Sequence, residues 1–456
     1  MSPRNAAARG LCSVLLLALL SGCATYRARP LHPAADAAAL TGRSLSDPRL
    51  LRFIAIEEHR AGPVRWDLRA LTLAALYERP DMKIAAAGLG AAKAGEVTAA
   101  ALPNPSLSLS PTYNATTLTP SPWTVGPVVT FLIQSFGVRP GLMAQARAQA
   151  EAARETLAIT AWQVRGTVRA ALLDLWAARR SLTLSRHDVA LTRTYDRVLA
   201  QRYAAGSASA AALNLAQLSE NQAALRLASV RRQTRLAEAA MAAALGLPRH
   251  ALDGVDLDTA GLDHPQEPGD LAPLIHAALT ARPDLRAALD RYQAAEAGLR
   301  VAIARQYPAL DIGPGYHYDA GANKFILAVS LPLPIFNQNQ GPIAAARAAR
   351  RLTAARFMAT QERTLGEIDR AVTDWHASKA EAGTARSLLA AARNSVVRQR
   401  NAFQAGAIGR LRLIGAELAL VQTEQGALTA STDERGALGA LETALYHPFL
   451  VADQNR

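Results

Sequence analysis

Long alanine-rich stretches without an internal proline dominate the hydrophobic pattern of this chain. Two of them run from 141 to 205 and from 342 to 405, and alanine has the highest helix propensity of all residues. At a rise of 1.5 Å per residue, stretches of about sixty residues predict helical rods about 100 Å long. Each rod ends at a glycine-containing break, and a second alanine-rich helix follows. We therefore predict two helical hairpins, over 141–246 and 342–446.

An alternating pattern precedes each hairpin. In 106–136 and 309–334 apolar residues recur at every second position, as at Phe325, Leu327 and Val329, and a period of two predicts strands. A turn-rich centre makes each stretch a β-hairpin, which gives four strands per chain. Eight of the 23 aromatic residues lie in or beside these stretches. That enrichment is typical of membrane barrels; the alternative is a small soluble sheet with an aromatic core.

The same order of elements occurs twice. Arg79-Pro80-Asp81 recurs 203 residues later as Arg282-Pro283-Asp284, and the sequences at the hairpin tips recur at an offset of 200. These offsets predict a duplicated unit. The predicted segments are a first repeat at 67–251, an Asp-, Gly- and Pro-rich linker at 252–269, a second repeat at 270–447 and a C-terminal tail at 448–456.

The N-terminus reads as an export signal. Arg4 and Arg9 precede an apolar run that ends in Leu20-Ser21-Gly22-Cys23, and such a run is too short to span a bilayer. We predict a signal peptide at 1–22. The last four residues resemble a bacterial lipobox, which implies acylation of Cys23, an N-terminal lipidated segment at 23–66 and sorting to the outer membrane. The alternative is an ordinary signal peptide with a chance cysteine.

Composition narrows the possible functions. The formal net charge is +13 and only 19% of residues are charged, which excludes a mostly disordered chain and a collagen. Both cysteines lie in the first 23 residues, so the body of the protein has no disulfide, zinc cluster or thiol nucleophile. The arginines are dispersed along alanine-rich helices. We interpret them as solvated helix faces and predict no nucleic-acid partner.

Motifs for catalysis or cofactor binding are missing from the sequence. It contains no His-Glu-x-x-His, phosphate-binding loop or Gly-x-Ser-x-Gly, and the histidines are scattered. We therefore predict a protein that is not an enzyme and needs no cofactor, and we name no metal ligand. Glu367, Asp369 and Asp374 either line a tube or belong to a salt-bridged helix face.

The number of predicted strands indicates that several copies of the chain assemble. Membrane barrels contain at least about eight strands, and open strand edges leave backbone groups unpaired in lipid. Four strands per chain therefore require several chains. A trimer would supply twelve strands, and the same symmetry would arrange the helical hairpins as a tube.

Together the lipobox, the duplication, the Arg-Pro-Asp motifs, the strand hairpins and the glycine tips resemble the TolC-type outer membrane efflux factor family. The resemblance implies a mainly α chain whose homotrimer joins a twelve-stranded outer-membrane barrel to a periplasmic α-helical tube. Residues Val329 to Gly341 are similar to the barrel-to-helix junction of the cobalt–zinc–cadmium branch. The implied function is a passive duct for heavy-metal cations. The alternatives are a duct for organic compounds and a non-transport periplasmic coiled-coil lipoprotein.

The resemblance also implies partners. These are a periplasmic adaptor protein, an inner-membrane RND-type pump and outer-membrane lipid. The implied adaptor-docking positions are Tyr203, Gly206, Ser207 and Leu213 at the first tip and Phe403, Gly406, Ala407 and Leu413 at the second. Family members often have an acidic residue just before the leucine, where this chain has Ala212 and Arg412.

Overall fold

The computed structural model describes residues 24–59, 62–116, 121–263, 265–319 and 321–449. The signal peptide and Cys23 lie outside these ranges. The chain divides after Arg43 into two compact units. The described part of the first unit contains helix α1 (Pro33–Thr41), none of whose residues is buried.

The second unit contains both repeats. The first-repeat side comprises α2 (Pro48–Glu58), α3 (Leu68–Glu78), α4 (Pro80–Ala100), β1 (Ser106–Leu109), β2 (Thr112–Tyr113), β3 (Trp123–Val125), β4 (Pro127–Ile133), α5 (Val138–Ala204) and α6 (Ala210–Leu245). A short 3₁₀ turn (Arg249–Leu252) and α7 (Ala260–Asp263) follow, and then α8 (Leu271–Ala281), α9 (Pro283–Ala304), β5 (Leu310–Asp319), β6 (Ala322–Ser330), α10 (Gln340–Gln404) and α11 (Arg410–Leu445). The predicted mainly helical fold with a small β part is confirmed.

Local sequence explains how the paired helices begin. Asp67 and Asp270 cap α3 and α8 by accepting backbone N–H bonds from Ala70 (2.9 Å) and Ala272 (3.0 Å), which satisfies donors that a helix start leaves free. Proline at the first position then opens α4 and α9, where its fixed φ suits a helix and no N–H is needed.

Strand segments among the described residues form one antiparallel sheet. β1 pairs with β4, β2 with β3, β5 with both β3 and β4, and β6 with β5. β1 and β2 pair with β4 and β3 in one continuous register, and β3 and β4 both pair with β5 in another. β1/β2 and β3/β4 therefore each act as one interrupted strand, and with β5 and β6 they make a sheet of four strands in two hairpins. The first hairpin and β6 therefore lie on either side of β5, which leaves β1/β2 at one edge and β6 at the other.

The long helices pack side by side in a layer, in which the helices of the first repeat lie beside those of the second, as the strands do in the sheet. α5 packs on α4, α6, α9 and α11, whereas the main partners of α10 among the described residues are α9 and α11. The largest buried cluster lies between α2, α3, α5 and α6 and contains Leu172, Leu175 and Met241. A second cluster lies between α8, α10 and α11. The layer thus ends with α4 and α6 on one side and with α10 on the other.

The segment predicted as a linker is packed against the first repeat. Leu257 and Leu262 are buried in the largest cluster, and the Asp258 N–H donates to the Trp66 carbonyl at 3.0 Å. Asp263 accepts bonds from Trp176 Nε1 (3.0 Å) and Arg180 Nη2 (2.6 Å). The turn-rich segment is therefore held in place by two buried leucines and by hydrogen bonds, and its division from the repeats at 252 and 269 stays a prediction.

Candidate functional site

Both hairpin tips reverse through the same backbone conformation. Gly206 and Gly406 each have a φ of 72°, a left-handed value that glycine adopts without steric cost. At the first tip the Gly206 N–H donates to the Tyr203 carbonyl (2.9 Å) and the Ser207 N–H to the Arg202 carbonyl (2.8 Å). This pair of bonds is the Schellman motif, which satisfies carbonyls at a helix end.

The second tip repeats these bonds. The Gly406 N–H donates to Phe403 (3.0 Å) and the Ala407 N–H to Ala402 (2.9 Å). The helices that follow the two tips start differently. Ser209 caps α6 by accepting the Ala212 N–H at 3.1 Å, whereas Gly409 at the start of α11 has no side chain that could cap it. The two tips lie side by side, since a Cβ on Gly409 would be 3.2 Å from Arg202 Nη2.

The tip side chains differ in burial. Tyr203 is 47% exposed and Phe403 37% exposed, and Ser207 and Ala407 are also exposed. Leu213 is half-buried, whereas its counterpart Leu413 is buried. The predicted docking residues therefore form two neighbouring ends, each with an aromatic ring and a leucine beside the glycine turn.

Positive charge surrounds both tips. Arg202, Arg410 and Arg412 are exposed, and none of the three has an acidic partner among the described residues. Farther from the tips, Arg400 pairs with Glu417 at 3.0 Å. The end of the molecule that carries the glycine turns is therefore basic and apolar.

The sheet has one apolar and one polar face, as its register shows. Phe131 lies opposite Ile312, which lies opposite Val329, and Tyr316 lies opposite Phe325. The side chains of one face are Leu107, Leu109, Trp123, Val129, Phe131, Ile133, Ile312, Tyr316, Phe325, Leu327 and Val329. Those of the other are mostly small or polar and include Ser106, Ser108, Thr130, Asp311, Gly313, Gly315, His317, Asp319, Lys324 and Ser330.

Glycine lets the strands approach closely on the polar face. A Cβ on Gly126 would collide with the Tyr316 carbonyl oxygen, and one on Gly315 would lie 2.8 Å from Val128. Across the same face, Lys324 Nζ donates to Asp319 at 2.6 Å, and Thr124 Oγ1 bonds to Asp319 at 2.8 Å. These contacts therefore hold the strands together on the polar face of the sheet.

The Arg-Pro-Asp motifs hold the ends of the shorter hairpin helices. Arg79 Nη1 donates to the carbonyl of Ala244 (3.1 Å), and Arg282 Nη1 to that of Ala444 (2.7 Å). Each guanidinium also binds the aspartate two residues later. A cation at a helix C-terminus satisfies free carbonyls and opposes the helix dipole. The sequence pattern marked the repeat but not this role.

A groove of about 1460 Å³ lies between α5, α9, α10 and α11. Of the described residues, six arginines and four acidic residues line it. Glu367 accepts a bond from Arg282 at 3.1 Å, and Asp374 also lines the groove. Glu367 is therefore salt-bridged, as one of the two predicted alternatives states, and its position in the lining of a tube stays a prediction.

Beside the groove a buried ion network joins the two repeats. Glu442 is fully buried and accepts from Arg165 Nη1 at 3.0 Å, while Arg169 Nε lies 3.1 Å away. Burial lowers the pKa of Arg169, although Glu442 opposes that shift. Gly439 makes room for this arrangement, since a Cβ there would collide with the Arg169 guanidinium. No sequence motif pointed to this network.

Metal clusters and membrane-spanning helices are both absent from the described residues. No group of three or more His, Cys, Asp or Glu side chains is placed to hold a metal ion. None of the helices in these ranges has both the length and the apolar character needed to cross a bilayer.

The family of the chain follows from comparison with known proteins. A family model for outer membrane efflux proteins matches residues 71–247 and 274–445, one match for each repeat. The chain belongs to the outer membrane efflux protein family. The predicted resemblance to this family is confirmed.

Individual relatives agree with the family and the fold. The cobalt-zinc-cadmium resistance protein CzcC of Cupriavidus metallidurans is 26% identical over 79% of this chain and 85% of its own length. The outer membrane protein VceC of Vibrio cholerae superposes with a TM-score of 0.68 at 19% identity, over 84% of this chain and 96% of VceC. CusC, whose structures describe transmembrane channel formation, gives a TM-score of 0.67 at 20% identity, over 84% and 95%. This efflux protein thus has the predicted TolC-type fold.

Proposed function

We propose that this efflux protein is the outer membrane duct of a tripartite exporter of heavy-metal cations. Three copies would form the duct, an inner-membrane RND-type pump would supply energy, and a periplasmic adaptor would connect the two. The similarity to a cobalt-zinc-cadmium resistance protein over most of both chains carries the choice of cargo.

Open edges in both layers support assembly into a ring. In the described chain β1/β2 and β6 each have only one neighbouring strand, and α10 and α4 form the corresponding edges of the helical layer. Each layer has two different edges, so joining one edge to the other edge of the next copy generates a closed ring. Three copies would give twelve strands.

The two faces of the sheet support insertion in the outer membrane. Phe325 is 87% exposed in the single chain, and it shares its face with other apolar and aromatic side chains. Membrane barrels direct such a face to lipid and a polar face to the lumen. The strands would therefore cross the outer membrane, and the helices would extend into the periplasm. Acylation of Cys23 would add a lipid anchor, as the lipobox predicts.

The basic tips support docking of an adaptor with an acidic surface. Unpaired arginines at an exposed end steer and select partners of opposite charge, and Tyr203 and Phe403 offer aromatic contacts. We expect Arg202→Glu combined with Arg412→Glu to abolish export without changing assembly. Arg398→Glu is the matched control, because Arg398 is also exposed and lies farther from the glycine turn.

Growth of a deletion strain tests the proposed function. The strain is exposed to zinc, cadmium, cobalt, nickel and copper salts beside dyes and detergents. Sensitivity to metals that is reversed by the intact chain is the expected result. Sensitivity to organic compounds alone would keep the duct and contradict the metal cargo. Unchanged growth under every condition would favour the non-transport lipoprotein.

A further inference from the structure

The groove between α5, α9, α10 and α11 carries more positive than negative charge. It lies where α9 begins and α11 ends, since Arg282 before the first residue of α9 and Tyr446 after the last residue of α11 both line it. Of the described lining residues six are arginines and four are acidic, which leaves two positive charges in excess. A cleft with an excess of one charge concentrates ligands of the opposite charge.

Two of the acidic residues are already paired with two of the arginines. Asp284 and Glu367 bind Arg282 at 2.7 and 3.1 Å, and Arg363 lies 3.8 Å from Asp284 and 3.5 Å from Glu367. These four side chains together have no net charge. The excess of positive charge therefore belongs to the rest of the lining.

The remaining exposed arginines have no carboxylate within 4 Å in the described part of the chain. Arg356 and Arg370 of α10 are exposed, and Arg291 of α9 donates to a threonine hydroxyl of α5 at 3.4 Å. The other two acidic lining residues, Asp174 and Asp374, form no ion pair there either. Counterions from outside the chain are thus needed to balance these arginines.

A buried guanidinium in the groove wall is only partly satisfied. Arg169 is 3% exposed and shares the one carboxylate of Glu442 with Arg165. Its Nη1 donates to the Arg435 carbonyl at 3.0 Å, whereas its Nη2 has no acceptor among the described residues. A buried charge without a full counter-charge costs free energy, and an anion in the groove would recover part of that cost.

An indole N–H in the same wall also lacks an acceptor. Trp162 stacks on Tyr446 at 5.3 Å, and the Arg165 guanidinium lies 5.0 Å from the Trp162 ring centre. The Trp162 Nε1 is buried and has no partner in the described ranges. Indole and guanidinium groups only donate, so both free donors require an acceptor. Carboxylate and phosphate oxygens are the acceptors that bind guanidinium groups most strongly.

We propose that this groove binds a small polyvalent oxyanion, whose carboxylate or phosphate oxygens carry two or more negative charges. The ligand would balance the two excess charges and offer acceptors to Arg169 and Trp162, while Arg356 and Arg370 would bind it from α10. A volume of about 1460 Å³ admits organic as well as inorganic anions. The site depends neither on the proposed cargo nor on assembly into a ring.

Only one such site is expected in each chain. At the offset of 200 that relates the hairpins, the counterparts of Trp162 and Arg169 are Glu362 and Asp369. Two carboxylates thus replace two donors, and carboxylates repel an anion. The other repeat therefore lacks the groups that would form a second site.

Isothermal titration calorimetry of the full-length chain in mild detergent tests the site. Citrate and inorganic phosphate are titrated separately at neutral pH, with the ionic strength held constant by sodium chloride so that screening does not change. Saturable binding of at least one anion, at one site per chain, is the expected result. Binding of citrate alone would assign an organic carboxylate, and binding of phosphate alone a phosphate group. No saturable binding of either at millimolar concentrations overturns the proposal.

Substitutions on α10 show whether the anion binds in the groove. Arg356→Gln combined with Arg370→Gln removes two groove arginines that hold no other side chain, and we expect the affinity to fall at least tenfold. The matched control combines Arg347→Gln with Arg351→Gln, because both residues are exposed on the same helix and lie outside the groove lining. Equal weakening by the two double variants would mean general attraction to a basic surface and would contradict the site.

A third substitution tests the buried donor. Trp162→Phe removes the free N–H and keeps an aromatic ring beside Tyr446, so we expect a several-fold loss of affinity with unchanged helical content by circular dichroism. Trp123→Phe, in the sheet, is the control and should leave the affinity unchanged. An unchanged affinity in folded Trp162→Phe would overturn the assignment of this donor to the ligand.

Discussion

The two longest helices of the molecule have the same form and different surroundings. α5 has 67 residues and α10 has 65, and both end in the same glycine turn. α5 nevertheless buries 19 described residues, and α10 buries seven. Local sequence sets length and turn, whereas position in the layer sets burial. α5 lies between neighbours on both sides, and α10 lies at an edge that we expect another copy to cover.

Side chains reflect the same difference. The contact between α5 and α11 contains the buried network of Arg165, Arg169 and Glu442. The first-repeat counterpart of Glu442 is Ala242, so a contact between α10 and the next copy's α6 would lack this carboxylate. The charged, buried contact between α5 and α11, called the internal seam below, thus has no matching carboxylate at the corresponding position of α6.

Removing the carboxylate of the internal seam should have the largest effect. Glu442→Gln leaves two arginine charges without their buried counter-charge, and we expect the free energy of unfolding to fall by about 3–5 kcal/mol. Denaturant unfolding followed by circular dichroism measures the change.

Glu434→Gln is the control for that prediction. It breaks the pair between the half-buried Glu434 and the exposed Arg386, and an ion pair with one partner in solvent contributes about 1 kcal/mol or less. Similar losses for the two variants would mean that the internal seam is not held by its buried ions.

Substitutions in the two Arg-Pro-Asp motifs should lower the free energy of unfolding by smaller amounts, which differ between the motifs. Arg282 is buried, binds Asp284, Glu367 and the Ala444 carbonyl, and lies 4.9 Å from the Tyr446 ring centre. Arg79 is partly exposed and lacks a counterpart of Glu367. We expect Arg282→Gln to cost about 3 kcal/mol and Arg79→Gln about 1 kcal/mol. The same unfolding experiment checks this order, and a reversed order would contradict it.

Substitutions at the two hairpin tips should have the smallest effect on stability. Gly206→Ala and Gly406→Ala each place a side chain at a φ of 72° with no atom within 4 Å of the new Cβ. Each substitution then adds only backbone strain, and we expect the free energy of unfolding to fall by about 1 kcal/mol in each variant. Unequal losses, measured by thermal unfolding of the two variants, would show that the tips are not equivalent.

Much of the fold could be predicted from the sequence, because its signals are local. Period-two residues such as Phe325 and Leu327 marked strands, proline-free alanine stretches marked helices, and Gly206 and Gly406 marked turns. These features depend on neighbouring positions, which a single sequence displays directly. The repeated Arg-Pro-Asp motif added the order of elements.

Features that depend on distant residues were not predictable. The bond from Arg282 to the Ala444 carbonyl joins positions 162 residues apart, and Leu257 is buried by helices from elsewhere in the chain. Tyr446 is another example, since it adopts a left-handed φ of 51° where the first repeat has Gly246. Its ring stacks on Trp162 at 5.3 Å, and that contact supports a conformation that the Cβ of any residue other than glycine disfavours.

Native mass spectrometry of the full-length chain, released from the membrane in mild detergent, tests whether copies of the chain close the open edges of the sheet and of the helical layer. A dominant species with the mass of three chains is the predicted result. A dominant single chain under conditions that preserve its helical content would contradict assembly into a closed ring.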